Sequence, residues 1–263
     1  MNKVRPKKSL GQHFLNDKSI AIDIVKALKT DPSANVLEIG PGMGVLTEYL
    51  FEIPDINLKL IEIDEESVAF LQKKWPFRQD KILQEDFLRM DINSIFNNEE
   101  FSIIGNYPYN ISNQILFKTY ENKEKIPQLV GMFQKEVAER ITSKPGKKAY
   151  GILSVLLQAF YTTEYLFTVH EHVFNPPPKV KSGVIRLTRK TEMDFACNME
   201  LFKTVIKQGF NQRRKVLSNS LKSIINTDAL SIKFARRRPE ELSYLEFAEL
   251  TNLIENYQKN QQK

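Results

Sequence analysis

Apolar residues recur every three or four positions in SIAIDIVKAL (19–28), VLTEYLFE (45–52), residues 65–74, NQILFKTYE (113–121), KEVAERIT (135–142) and YGILSVLLQAFY (150–161). That spacing predicts helices. Between them lie short, almost wholly apolar runs: ANVLEIG (34–40), INLKLIEID (56–64), KILQED (81–86), FSIIGN (101–106) and QLVGMF (128–133). Runs this short that stop at Gly, Asp or Asn predict buried strands. Two further strands are predicted around 163–169 and 183–188. Strand–helix alternation of this kind predicts an α/β fold on a parallel, doubly wound sheet.

After residue 190 the strand signals fade, and MELFKTVIKQGF, QRRKVLSNSLKSII and LSYLEFAELTNLIENY all carry helical periodicity. In RRRPEELS, Pro239 and the two glutamates after it suit the first turn of a helix. The pattern predicts two domains, an α/β domain over 1–188 and a small all-helical one over 189–263.

Charge sharpens that division. Residues 1–188 hold 24 Lys/Arg against 23 Asp/Glu, whereas residues 189–263 hold 14 against 9. The excess is concentrated in NQRRK (211–215) and ARRRP (235–239), and Lys3, Arg5, Lys7 and Lys8 add a second basic cluster. Such clusters attract polyanions, so a nucleic-acid partner is expected, with Arg213 and Arg214 as phosphate contacts. No apolar run reaches the length of a membrane span, and no apolar stretch follows the basic N-terminus as in a secretory signal. A single cysteine, Cys197, excludes an internal disulfide and fits a reducing, cytoplasmic setting. Three histidines (13, 170 and 172) and one cysteine form no zinc-ligand pattern, so no metal is expected.

The strand ends carry the chemistry. VLEIGPGMGVLTEYL (36–50) ends a strand in Gly40, Gly42 and Gly44. Glycines there let backbone approach a ligand closely. A dinucleotide loop requires G-x-G-x-x-G, and Val45 stands where its third glycine belongs. Acid-x-Gly-x-Gly-x-Gly instead resembles the nucleoside loop of S-adenosylmethionine-dependent methyltransferases. Glu62, about twenty residues on, suits a ribose hydroxyl pair, with Asp64 as its rival. Asp86, after the third strand, can accept from an adenine amine or merely cap a turn.

The fourth strand ends in IIGNYPYNIS (103–112). Asn-x-Pro-Tyr at this place resembles the motif of methyltransferases acting on exocyclic base amines. An adenine N6 is a poor nucleophile because its lone pair is delocalised. The Asn106 amide oxygen and a backbone carbonyl, of Pro108 or its neighbour, can accept its two N–H bonds and stabilise the developing charge. Tyr109 can stack on the base. In HVFNPPPKVKSGVIRL (172–187) an exposed Phe174 is expected to cover the other face of an extruded base.

Taken in order, KKSLGQHFLND, VLEIGPGMGVLT, IEID, GNYPYNIS, MFQKEVAERI, YGILSVLLQ, FNPPPKVKS and FNQRRKVLSNSL resemble the small-subunit ribosomal RNA adenine dimethyltransferases of the KsgA type, from residue 7 to about 245. The resemblance implies a Rossmann-like class I methyltransferase that uses S-adenosylmethionine. It implies N6,N6-dimethylation of two adjacent adenines near the 3′ end of small-subunit rRNA, late in assembly of the immature small subunit, by a monomer. It places cofactor contacts on His13, Leu15, Gly40, Glu62, Asp86 and Asn106, and target-base groups on Asn106, Pro108, Tyr109 and Phe174. Two positions depart from the family: His13 stands where Asn is usual, and Tyr107 where Leu is usual. The rivals are a large-subunit dimethyltransferase of the macrolide-resistance type and a noncatalytic rRNA-binding assembly factor.

Overall fold

The computed structural model describes residues 4–261. In chain order its elements are β1 (Phe14–Leu15), α1 (Lys18–Ala27), β2 (Asn35–Ile39), α2 (Thr47–Leu50), β3 (Asn57–Glu62), α3 (Glu65–Lys74), β4 (Ile82–Gln84), β5 (Ser102–Asn106), α4 (Ser112–Glu121), β6 (Gln128–Gln134), α5 (Lys135–Thr142), α6 (Ile152–Phe160), β7 (Tyr161–Val169), β8 (Phe174–Asn175), β9 (Ser182–Arg189), α7 (Met199–Asn211), α8 (Leu217–Ser220), α9 (Ile232–Ala235) and α10 (Tyr244–Gln261). The chain forms two compact units, one of residues 1–139 and 162–189, the other of 140–161 and 190–263. Residues 140–161, assigned to the first domain from the sequence, thus group with the second unit.

The first unit is built on a seven-stranded sheet of order β4-β3-β2-β5-β6-β9-β7. Strands β2 to β6 run parallel, and β9 returns antiparallel to β6 from Gln128↔Thr188 to Gln134↔Ser182. The order reverses at β2, between β3 on one side and β5 on the other. In open α/β sheets ligands settle beyond the strand C-termini at such a reversal. The central strands are buried on both faces, as their unbroken apolar runs require. Helix α1 begins where the Asp17 carboxylate accepts from the Ser19 and Ile20 N–H groups, and it buries Ala21, Ile24 and Val25. A separate two-stranded ribbon pairs Leu15 with Phe174 and Phe14 with Asn175.

In the second unit α6, α7 and α10 pack together around Leu156, Phe202, Val205, Ile206, Phe247, Leu250 and Ile254. The helix expected across 212–225 is interrupted: Gln212 leaves helical geometry and Val216 is extended, leaving only the short α8. Pro239 opens a single 3-10 turn, and the Glu241 carboxylate accepts from the Arg238 N–H at 2.8 Å. Among the described residues no helix is long and apolar enough to cross a membrane.

Candidate active site

A cavity lies beyond the C-terminal ends of β2, β3, β4 and β5, all within the first unit. Its walls include Gln12, His13, Leu15, Glu38, Gly40, Gly42, Glu62, Asp86, Asn106, Tyr107, Pro108 and Tyr109. Every cofactor contact expected from the sequence therefore faces one space.

The glycine loop after β2 has left-handed backbone at Gly40 (φ 68°) and Gly42 (φ 56°), a region an L side chain enters at a cost. A Cβ on Gly42 would sit 2.8 Å from the Phe14 ring, whereas one on Gly40 would meet nothing within 4 Å. Backbone at Gly40 thus offers a bare cradle to a ligand. Glu62 is only 4 % exposed, and it accepts from the Gly42 N–H at 3.0 Å and the Asp64 N–H at 2.9 Å. Burial raises its pKa despite these bonds. Asp64, its rival, is not among the residues lining this cavity. It is buried and tied to Lys7, to Gln12 Nε2 at 3.2 Å and to Ser67 Oγ at 2.9 Å. Its task is to anchor the N-terminal segment, whose Leu10, Gly11, Gln12 and His13 form one wall of the cavity.

Deeper still, Glu38 accepts from Thr47 Oγ1 at 2.6 Å. Burial, reinforced by the neighbouring Glu62, pushes its carboxyl up to about 8. Asp86 faces the cavity and also caps its own turn: Oδ1 accepts from the Leu88 N–H at 2.9 Å, and Arg89 Nε lies 3.4 Å from Oδ2. The two readings of Asp86 are therefore compatible.

At the end of β5, Asn106 donates from Nδ2 to the His13 carbonyl at 3.0 Å. The remaining amide oxygen is thereby left for another partner. The Pro108 carbonyl accepts from the Ile111 N–H at 3.2 Å and Ser112 Oγ at 3.1 Å. Both its lone pairs serve the start of α4, so of the two carbonyls expected, that of Pro108 or its neighbour, the Pro108 one is already engaged. Its neighbour Tyr107 keeps a carbonyl that no described residue engages. The Tyr107 ring is only 1 % exposed. It lies 4.9 Å from the Phe133 ring and hydrogen-bonds the Val130 carbonyl at 3.3 Å. Burial, with Glu38 nearby, raises its phenol well above the ordinary value.

Tyr109 and His13 line this cavity and a second one, formed with Pro6, Lys8, Gln134 and Pro176–Pro178. The Tyr109 hydroxyl hydrogen-bonds Ser182 Oγ at 2.6 Å, and its ring lies 5.5 Å from the imidazole. His13 Nδ1 is 2.7 Å from the Pro176 carbonyl, so it carries the proton of that bond. Phe174, expected to be exposed, is 4 % exposed. Its pairing with Leu15 turns its ring into the core with Ile24, Val169 and Val184, and it lines neither cavity. That corrects the expectation that Phe174 is exposed beside the site. No group of His, Cys, Asp and Glu suited to a metal ion occurs among the described residues.

The sequence profile described as "Ribosomal RNA adenine dimethylase" matches residues 3–259. The chain is 57 % identical to "Ribosomal RNA small subunit methyltransferase A" of Flavobacterium johnsoniae over 97 % of its length and 98 % of the relative. It is 54 % identical to the protein of the same name from Bacteroides thetaiotaomicron, over 97 % and 96 %. Among solved structures, a dimethyladenosine transferase from Plasmodium falciparum superposes with TM-score 0.79 at 25 % identity, covering 94 % of this chain and 98 % of the other. The 23S rRNA methyltransferase ErmE follows at 0.69 and 24 %, covering 90 % and 99 %, a likeness of fold.

Proposed function

Because the chain belongs to the ribosomal RNA adenine dimethylase family, we infer that it uses S-adenosylmethionine to convert two adjacent adenines near the 3′ end of small-subunit rRNA to N6,N6-dimethyladenosine, on the immature small subunit. The observation that carries this reading is the meeting of two half-sites. Four strand ends furnish a nucleoside cavity, and the Asn106–Tyr109 turn stands where that cavity adjoins the second one.

S-adenosylmethionine supplies an electrophilic methyl on a sulfonium. The residues present fit it: Glu62 suits the ribose hydroxyls, Asp86 the adenine amine, and the bare backbone at Gly40 the methionine portion, with Leu15 and His13 closing the wall. The acceptor amine is served by two oxygens. Asn106 Oδ1 takes one N6–H, oriented because Nδ2 is held by the His13 carbonyl. The Tyr107 carbonyl takes the other, since that of Pro108 is occupied. Two acceptors draw the nitrogen away from conjugation and stabilise the positive charge that grows on it. Tyr109 stacks on the base, an interaction of roughly 1–3 kcal/mol in such sites. After one transfer a single N–H remains, so only one oxygen stays paired during the second.

The test is to incubate the protein with radiolabelled methyl donor and either under-methylated small subunits or large-subunit RNA, then map the modified base. Dimethyladenosine in small-subunit rRNA is expected. Activity on large-subunit RNA alone would overturn the choice of substrate. Asn106→Ala is expected to abolish transfer while RNA affinity persists; near-normal turnover would refute its role.

A further inference from the structure

Lys118 sits on α4, two turns beyond the Asn106–Tyr109 motif, and no motif includes it. Its ammonium donates to three backbone carbonyls of one loop: Phe87 at 2.6 Å, Leu88 at 3.2 Å and Met90 at 2.8 Å. An ammonium has three N–H groups, so its hydrogen-bonding capacity is filled by this loop. The same loop, Glu85 to Leu88, forms one end of the donor cavity and carries Asp86. The loop is tied to the sheet at its entry, where the Glu85 N–H donates to the Glu62 carbonyl at 3.1 Å, and its turn is shaped by bonds from its own residues: Leu88 N–H to Asp86 Oδ1, and the Arg89 and Met90 N–H groups to the Asp86 carbonyl. Those bonds fix where the loop leaves β4 and shape the turn, but none of them fastens residues 87–90 to another element. Lys118 supplies that attachment, and Phe87, whose ring lies 5.1 Å from the ammonium, is buried beside it. Burial lowers the Lys118 pKa below the ordinary lysine value, with Asp86, Asp91 and Glu121 acting against the shift.

We propose that Lys118 is a positioning residue for donor recognition: by gathering three carbonyls of the 87–90 loop it holds Asp86 where it reads the adenine amine of the methyl donor. The proposal rests on the donor site described above. Helix α4 starts at Ser112, whose hydroxyl is bonded to the Pro108 carbonyl. One rigid helix therefore carries the fastening of the acceptor turn at one end and that of the donor loop towards the other.

The experiment measures binding of S-adenosylmethionine and of its hypoxanthine analogue, which has a carbonyl in place of the adenine amine, to the full chain and to Lys118→Met and Lys118→Gln. The ratio of the two dissociation constants does not depend on the fraction of protein that is folded. The wild type is expected to prefer the adenine donor, and both variants are expected to lose about tenfold of that preference, the scale of one or two charge-assisted hydrogen bonds. At saturating donor the turnover number is expected to change far less than the KM for donor. A preference equal to wild type in either soluble variant would overturn the role of Lys118. A wild type that binds neither compound would overturn the donor site itself, a separate failure.

Discussion

Gly131→Ala tests how the Asn-x-Pro-Tyr turn is seated. Gly131 is the residue of β6 that faces Gly105 of β5, and the Tyr107 ring fills the space both glycines leave. A Cβ on Gly131 would lie 2.1 Å from Tyr107 Cε2 and 2.9 Å from the Gly105 carbonyl oxygen. The ring cannot retreat, because it is fully buried against Phe133. Overpacking of this severity is expected to cost about 3 kcal/mol, the upper end of the usual range. Tyr107→Leu alone trims a buried ring and a weak hydroxyl bond, at roughly 2 kcal/mol. In the double variant the ring contact is gone, while the approach to the Gly105 oxygen at 2.9 Å remains. Because that oxygen is backbone, Gly131→Ala should there still cost roughly 2 kcal/mol, a coupling of about 1 kcal/mol. The chain's single tryptophan, Trp75, lies in the first unit, so urea unfolding followed by its fluorescence reports on the relevant part. Tyr107→Leu should also keep turnover within a few-fold of wild type, since the working group at that position is the carbonyl. Equal costs of Gly131→Ala in the two backgrounds would refute the packing argument.

The other tests concern charge. Glu38, pushed up to about 8 by burial, is protonated on folding at any pH between the ordinary carboxylate range and 8. The folded state then binds more protons, so stability falls as pH rises across that window. Glu38→Gln keeps an oxygen for Thr47 and should flatten this decline in Trp75-monitored unfolding from pH 5 to 8.5; an unchanged slope would count against a buried neutral Glu38. In the basic runs, Arg213 donates to the Lys148 carbonyl at 2.6 Å and Arg237 is paired with Glu246. The side chains of Arg214, Lys215, Arg236 and Arg238 have no carboxylate partner among the described residues, and Arg214 and Lys215 are the adjacent pair chosen to test contact with phosphate. Reversing both should weaken rRNA binding and reduce the slope of log K against log salt by roughly 1.5–2. If the slope is unchanged, these side chains do not contact phosphate. Arg213→Glu should instead act mainly through stability, read as a lower melting temperature.

Most of the fold was legible because its signals are local. Each central strand is a short apolar run that stops at a residue able to turn the chain, and each helix between them shows its period. The four strand ends were legible for the same reason: Gly40, Glu62, Asp86 and Asn106 are all placed by strand length alone. What could not be read depends on partners far away in the chain. Phe174 looked exposed beside its prolines, yet a two-residue ribbon with Leu15 turns it inward. Asp64 and Glu62 are equivalent by spacing; the link that separates them is the bond from Lys7, 57 residues earlier. The 212–225 segment has helical periodicity but breaks at Gln212 and Val216, since a periodic apolar face does not by itself keep the backbone helical.

The Asn106–Tyr109 turn shows where such reading stops and why. Its residue types state the chemistry, an amide and a carbonyl for an amine with two hydrogens. They do not state which carbonyl, because that is decided by Ser112 and Ile111 capping α4 through Pro108. Nor do they explain a tyrosine where leucine is usual. The answer lies on two neighbouring strands, where Gly105 and Gly131 leave a gap the size of a ring. With its side chain locked into that gap, Tyr107 has little freedom to rotate its peptide plane. The substitution that looked most anomalous in the motif is therefore consistent with a fixed acceptor carbonyl, and the Gly131→Ala variant perturbs that fixation through the Tyr107 ring, leaving Asn106, Pro108 and Tyr109 unchanged.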